Sequence, residues 1–94
     1  MALINTIYRA IDERRMLSFV YKDQLRTVEP YIVGYTAKRK LMLSAIQRRG
    51  GSGNGFRSFD VNELSAVAMT DRSFRAHADY NPHDPLFAHV LRQV

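Results

Sequence analysis

The stretch LMLSAIQRRGGSGNGFRSFDV, residues 41–61, decides the fold. Leu41, Leu43 and Ala45 alternate with Met42, Ser44 and Ile46, the period of two that a half-buried strand requires. Phe56, Ser58 and Asp60 alternate in the same way with Arg57, Phe59 and Val61. Between the two runs, Gly50, Gly51, Ser52, Gly53, Asn54 and Gly55 cannot hold a regular element. The segment therefore predicts two strands joined by a mobile glycine-rich tip. So short a connection pairs them antiparallel.

Working outward, the same period recurs on both sides. Upstream, Leu17, Phe19 and Tyr21 alternate with Ser18, Val20 and Lys22, a short strand followed by a turn at Lys22, Asp23 and Gln24. A second strand runs from about Leu25 to Thr36, and Pro30 within it marks an edge, a bulge or a bend, which Gly34 could share. Residues 37–40 form a basic turn into the strand at Leu41. Downstream, after a step at Asn62 and Glu63, Leu64 to Met69 supplies a fifth strand. Residues 2–14 place Leu3, Ile4, Ile7, Tyr8 and Ile11 at helical spacing, an amphipathic helix that serves as a lid on the sheet. At the other end Asp84 fits a helix cap and Pro85 the first helical position. Leu86, Phe87, Val90, Leu91 and Val94 then make one apolar stripe. The reading is a mainly β chain: five antiparallel strands in a meander, closed into a small barrel, with an N-terminal and a C-terminal helix. Residues 1–76 form the barrel domain with its helix. Residues 77–94 form a linker and a helix that packs on the domain or on a partner.

The chain has 94 residues and 10.8 kDa, room for one domain. It contains no cysteine, which excludes a disulfide framework, a thiolate zinc site and a cysteine nucleophile. Neither a membrane-length apolar run nor a signal-peptide pattern is present, so a cytoplasmic protein is expected. Fourteen Lys and Arg against nine Asp and Glu give a net charge of +5. The excess is concentrated between Glu29 and Asp60, where Lys38, Arg39, Lys40, Arg48, Arg49 and Arg57 have no acidic neighbour in sequence. Arginine predominates, and its planar fork suits bidentate contact with phosphate or carboxylate. A polyanion is the natural partner, the alternative being a basic face that only keeps the domain soluble.

The order of motifs is similar to that of a known family. A helix ending in charged residues, then LSFVY (17–21), RTVEPY (26–31), KLMLSA (40–45), RSFDVNELSAV (57–67) and FRA (74–76) resembles the WYL domain of bacterial regulators. The correspondence covers about residues 3–76. Two departures stand out: Leu41, Met42 and Leu43 occupy the place of the Trp-Tyr-Leu run that names the family, and Glu63 aligns with a basic position. The resemblance implies an Sm-like, SH3-like barrel, a role in bacterial transcription control or defence, and a nucleotide or nucleic-acid ligand. It implies no chemistry and no cofactor. Family regulators carry a DNA-binding winged-helix segment ahead of this domain. Residue 1 lies close to the opening helix, so a domain acting alone, or one separated from a larger regulator, is expected.

Arg26 and Arg57 match the family's basic positions and are the leading anion contacts, the competing reading being surface pairs with Glu29 or Asp60. Lys40, Arg48 and Arg49 would add long-range attraction. Tyr21, Tyr31 and Phe56 could stack on a base, although so small a core has need of its aromatics. The glycine loop lacks the spacing of a dinucleotide fingerprint, and a backbone nest for an anion is its weaker reading. His77, His83 and His89 are six apart, off any one helix face, so no metal is expected. No acid, base and nucleophile constellation is legible, which points to a non-enzymatic binding domain that senses a nucleotide or short single-stranded nucleic acid. The alternative is an interaction or homodimerisation module docking through Leu86, Phe87, Val90 and Leu91.

Overall fold

A computed structural model describes residues 2–49 and 55–94, apart from the side chains of Ala2 and Arg49; the expected glycine-rich tip at 50–54 lies outside the described residues. The opening helix is α1 (Ala2–Glu13), followed by β1 (Arg15–Tyr21), β2 (Gln24–Tyr35), β3 (Leu41–Arg49) and β4 (Gly55–Asp60). A single 3-10 turn (Val61–Glu63) leads into β5 (Ser65–Ser73), and β6 (His89–Gln93) ends the chain. All pairings are antiparallel, in the order β4-β3-β2-β1-β5. The first four strands are a meander, but β5 returns to the far side of β1. Among the described residues β4 and β5, the two ends of this path, are not paired, so the sheet is not closed.

Pro30 explains the course of β2. The first half of the strand pairs with β1, from Leu17↔Val28 to Tyr21↔Gln24. Its second half pairs with β6, from Ile32↔Gln93 to Tyr35↔His89. Proline lacks the N–H that a ladder needs, and the β2–β3 register slips between Pro30 and Ile32. The extra residue turns Tyr31 and Ile32 to the same side, where both pack with Ile46. Gly34 serves a different end: a Cβ there would stand 2.4 Å from the carbonyl oxygen of His89. Only glycine lets β6 approach so closely.

The expected C-terminal helix is absent, and β6 replaces it. Asp84 does accept the Leu86 N–H at 2.9 Å, yet the same carboxylate closes an isolated turn, with Phe87 N–H bonding Asp84 O at 3.2 Å. Beyond that turn, the open edge of β2 past Pro30 offers the chain a ladder, which Val90 joins opposite Gly34, with Leu91 at the register shift that follows. The docking stripe is thereby divided. Leu91 packs against the main core and Phe87 against a second cluster, while Leu86 and Val90 remain exposed.

The main core lies between α1 and one face of the sheet, here called the inner face. Ile7, Ala10 and Ile11 of α1 meet Leu17, Phe19, Val28, Val33, Leu43 and Phe59. The helix is thus the lid its periodicity predicts, and Arg92 on β6 ties to it through Asp12 at 2.5 Å and the Tyr8 ring at 4.5 Å. On the outer face, Tyr31 and Ile46 carry a smaller aromatic cluster with Phe74 and Tyr80.

Candidate anion-binding site

Strand alternation sets which basic residues share a face. Arg26 lies opposite Phe19 on β1, and Val28, two residues on, lies opposite Gln47 on β3. Arg57 lies opposite Ala45 and is two residues from Phe59. Residues two apart on a strand point the same way, so Arg26, Gln47, Arg57 and Phe59 all belong to the inner face. Arg26 and Gln47 lie toward the end of the sheet where β3 runs to residue 50, while Arg57, opposite Ala45, and Phe59, opposite Leu43, lie farther along β3.

Arg26 is only 6% exposed. Its Nη1 donates to Oε1 of Gln47 at 2.9 Å, and Nη2 makes a 3.5 Å contact with Oε1 of Gln24. Its guanidinium carbon stands 5.2 Å from the centroid of Tyr21 and 5.9 Å from that of Phe59. Those two rings meet edge to face at 5.1 Å, and Phe59 meets Phe19 in the same way. The guanidinium is therefore held by ring faces and amide oxygens, with no carboxylate partner among the described residues. Its Nε is buried and has no hydrogen-bond partner among the described residues. A buried donor left without an acceptor costs about 1–3 kcal/mol, and more when it carries charge. An anion would supply what the fold withholds. Neither surface-pair reading holds for Arg26, because Glu29 and Asp60 are engaged elsewhere.

The remaining basic residues disperse. Lys40 sits 3.6 Å from Asp60 at the other end of β3; eight residues of strand, roughly 26 Å, separate it from Arg48. Arg48 belongs to the outer face, where its Nε donates to Oε2 of Glu29 at 2.7 Å. The backbone of Arg49 pairs with Thr27, and its side chain lies outside the described residues. The run that is continuous in sequence is thus no single patch in space.

Glu29 itself is 5% exposed and anchors the outer cluster. The Tyr31 hydroxyl donates to Glu29 Oε1 at 3.1 Å and accepts the His77 N–H at 2.9 Å. Burial pushes the Tyr31 phenol up to about 12; the His77 N–H opposes the rise and the Glu29 carboxylate adds to it. Tyr31 is core, as size alone suggested. Phe56 is half exposed beside it, at 5.4 Å between centroids.

Sequence reasoning missed four contributors: Lys22, Gln24, Gln47 and Phe59. Gln47 is fully buried yet reads in sequence as the polar end of a strand. Lys22 reads as a turn residue, but its Nζ stands 5.5 Å from the Tyr21 centroid, so two cations address one ring. Lys22 and Asp23 have φ of 50° and 62°, the left-handed pair of a two-residue hairpin in which Asn-Gly would be the unstrained choice. No family model matches the chain, and no curated protein or solved structure matches it either.

Proposed function

We propose that this chain is a non-enzymatic regulatory binding domain whose inner-face arginines recognise a nucleotide or a short single-stranded nucleic acid. The observation that carries the reading is Arg26, a buried guanidinium with neutral partners and no carboxylate, placed on the same face as Arg57. A buried cation is normally paired. Where the protein supplies no counter-charge, a ligand phosphate does so through charge-assisted bonds. In this reading the sheet is a WYL-like small barrel opened between β4 and β5, the resemblance adds the nucleotide class of ligand, and the setting is bacterial transcription control or defence.

Fluorescence anisotropy of a labelled single-stranded oligonucleotide, titrated with the full chain at two salt concentrations, tests this. Affinity should fall steeply as salt rises. Replacing Arg26 and Arg57 together should weaken binding far more than replacing exposed Arg72 on β5. Absence of binding to single-stranded DNA, RNA and mononucleotides at low salt would refute the proposal. Arg92 is no suitable control, because it secures β6 to α1.

A further inference from the structure

A guanidinium has two edges that can hold an oxyanion with two parallel bonds, one made of Nη1 and Nη2, the other of Nε and Nη2. In Arg26 the first is committed through Nη1 to Gln47. The second is unfulfilled. Its Nε has no partner among the described residues, and its Nη2 touches Gln24 only at 3.5 Å, the outer limit of a hydrogen bond. Gln24 is exposed next to the β1–β2 turn, so water can take over its amide once it swings away.

Lys22 adjoins the same ring, its ammonium 5.5 Å and the Arg26 guanidinium carbon 5.2 Å from the Tyr21 centroid, so it adds positive charge near the edge rather than a donor to it. Asp23, in the same turn, is exposed and forms no ion pair with either cation. The site thus offers one bidentate edge, one second cation and one displaceable amide.

We infer that the Nε–Nη2 edge of Arg26, with Lys22 as the second cation, seats a phosphate monoester: the terminal phosphate of a nucleotide or of a short strand. The inference rests on the nucleotide reading above and specifies which phosphate is recognised. Arg26 is almost wholly covered, its rings lie close by, and Gln47 fills one edge, so the exposed side chain of Gln24, in contact with Nη2, marks the side from which a ligand would enter. A monoester projects three oxygens from a chain end and fits such an opening, whereas an internal diester arrives with a sugar on each side. Charge agrees, because a monoester carries about −1.5 to −2 near neutral pH and meets two cations.

Two experiments on the full chain test the inference. In thermal unfolding, inorganic phosphate should raise the Tm of the unsubstituted chain above sodium chloride and sodium acetate at matched ionic strength. The shift should vanish in Arg26→Met and shrink in Lys22→Asn, which keeps a residue tolerant of the left-handed turn. Arg26→Lys retains the charge without the two-donor edge, and its shift should also fall. In anisotropy, a 5′-phosphorylated oligonucleotide should bind about ten- to a hundredfold tighter than its 5′-hydroxyl twin, the effect of bonds to a charged group. That preference should disappear in Arg26→Met. An equal phosphate shift in the unsubstituted chain and Arg26→Met, or an equal shift with acetate, overturns the assignment. Salt-sensitive binding without preference for the phosphorylated end overturns this inference and leaves the broader reading standing. Phosphate stabilisation that depends on Arg26, with no nucleotide or oligonucleotide binding, keeps the phosphate seat and overturns the nucleotide reading.

Discussion

Strands β2 and β3 carry an arginine on each face of the sheet, and the two are treated in opposite ways. On the outer face, Arg48 is half exposed and its charge is met by the buried carboxylate of Glu29, which also accepts the Tyr31 hydroxyl. On the inner face, Arg26 is more deeply buried and meets only amide oxygens and ring faces. Desolvation is dearer for Arg26, yet the compensation is smaller. The outer arrangement reads as structure, a closed circuit that fastens residues 74–80 to the sheet. The inner one leaves the Nε donor of a charged group without a partner among the described residues, and the proposed site is built on that donor.

This contrast can be broken at several points. The largest effect should come from two aromatics on β4 that face opposite ways. Phe59→Ala removes a fully buried ring that touches Phe19, Tyr21 and Arg26, and should cost about 3–5 kcal/mol by denaturant unfolding. Phe56→Ala, at a half-exposed ring, should cost under about 1.5 kcal/mol. Comparable costs would mean that the two faces are equally packed.

Gly34→Ala comes next, at about 1–3 kcal/mol, since its Cβ meets the His89 carbonyl and must push β6 away. Hydrogen exchange should then rise first in residues 89–93. Uniform acceleration across the sheet would argue against a local cause.

The two arginine environments should respond with opposite signs. Glu29→Gln should destabilise by about 1–2 kcal/mol, moderated because Arg48 can turn to solvent. Arg26→Met should be neutral or stabilising by up to about 1–2 kcal/mol, since it removes a buried cation and an unsatisfied donor. A clear loss of stability in Arg26→Met would show that Gln47 and the rings compensate the charge in full.

The last effect appears only at alkaline pH. Tyr31 ionises near 12 in the folded chain, against an ordinary value of 10. A group raised on folding contributes stability that is complete below pH 10 and is lost as pH climbs toward 12. Tyr31→Phe should therefore flatten the decline of stability between pH 10 and 12. An unchanged slope would place the proton linkage elsewhere, Tyr80 being the other phenol raised by burial.

Much of the fold was legible because it rests on local periodicity. The lid helix, the strands from Leu17, Leu25, Leu41, Phe56 and Leu64, and the irregularity at Pro30 each have their cause within a few residues. The terminal strand does not. Leu86, Phe87, Val90, Leu91 and Val94 satisfy helical spacing, and Asp84-Pro85 satisfies both a helix cap and a turn. What selects the strand is the open edge of β2 beyond Pro30, a property of the assembled sheet.

The site divides in the same manner. Arg26 and Arg57 stand out in sequence as basic strand positions, and the structure puts both on the inner face with Tyr21 against Arg26, yet the basic run between Glu29 and Asp60 splits over two faces and two ends. Sequence proximity does not say which lysine meets Asp60 or which arginine meets Glu29. Gln47 and Lys22 carried no signal of their own, since burial and a shared ring give them their roles.

The central claim is that the uncompensated arginine, not the compensated one, meets the ligand. Oligonucleotide affinity at low salt, measured by anisotropy for Arg26→Met and Arg48→Met after circular dichroism confirms that both are folded, addresses it most directly. The account predicts that Arg26→Met loses about ten- to a hundredfold in affinity and Arg48→Met only the small loss of one distant charge. Equal losses, or a larger loss in Arg48→Met, would contradict it.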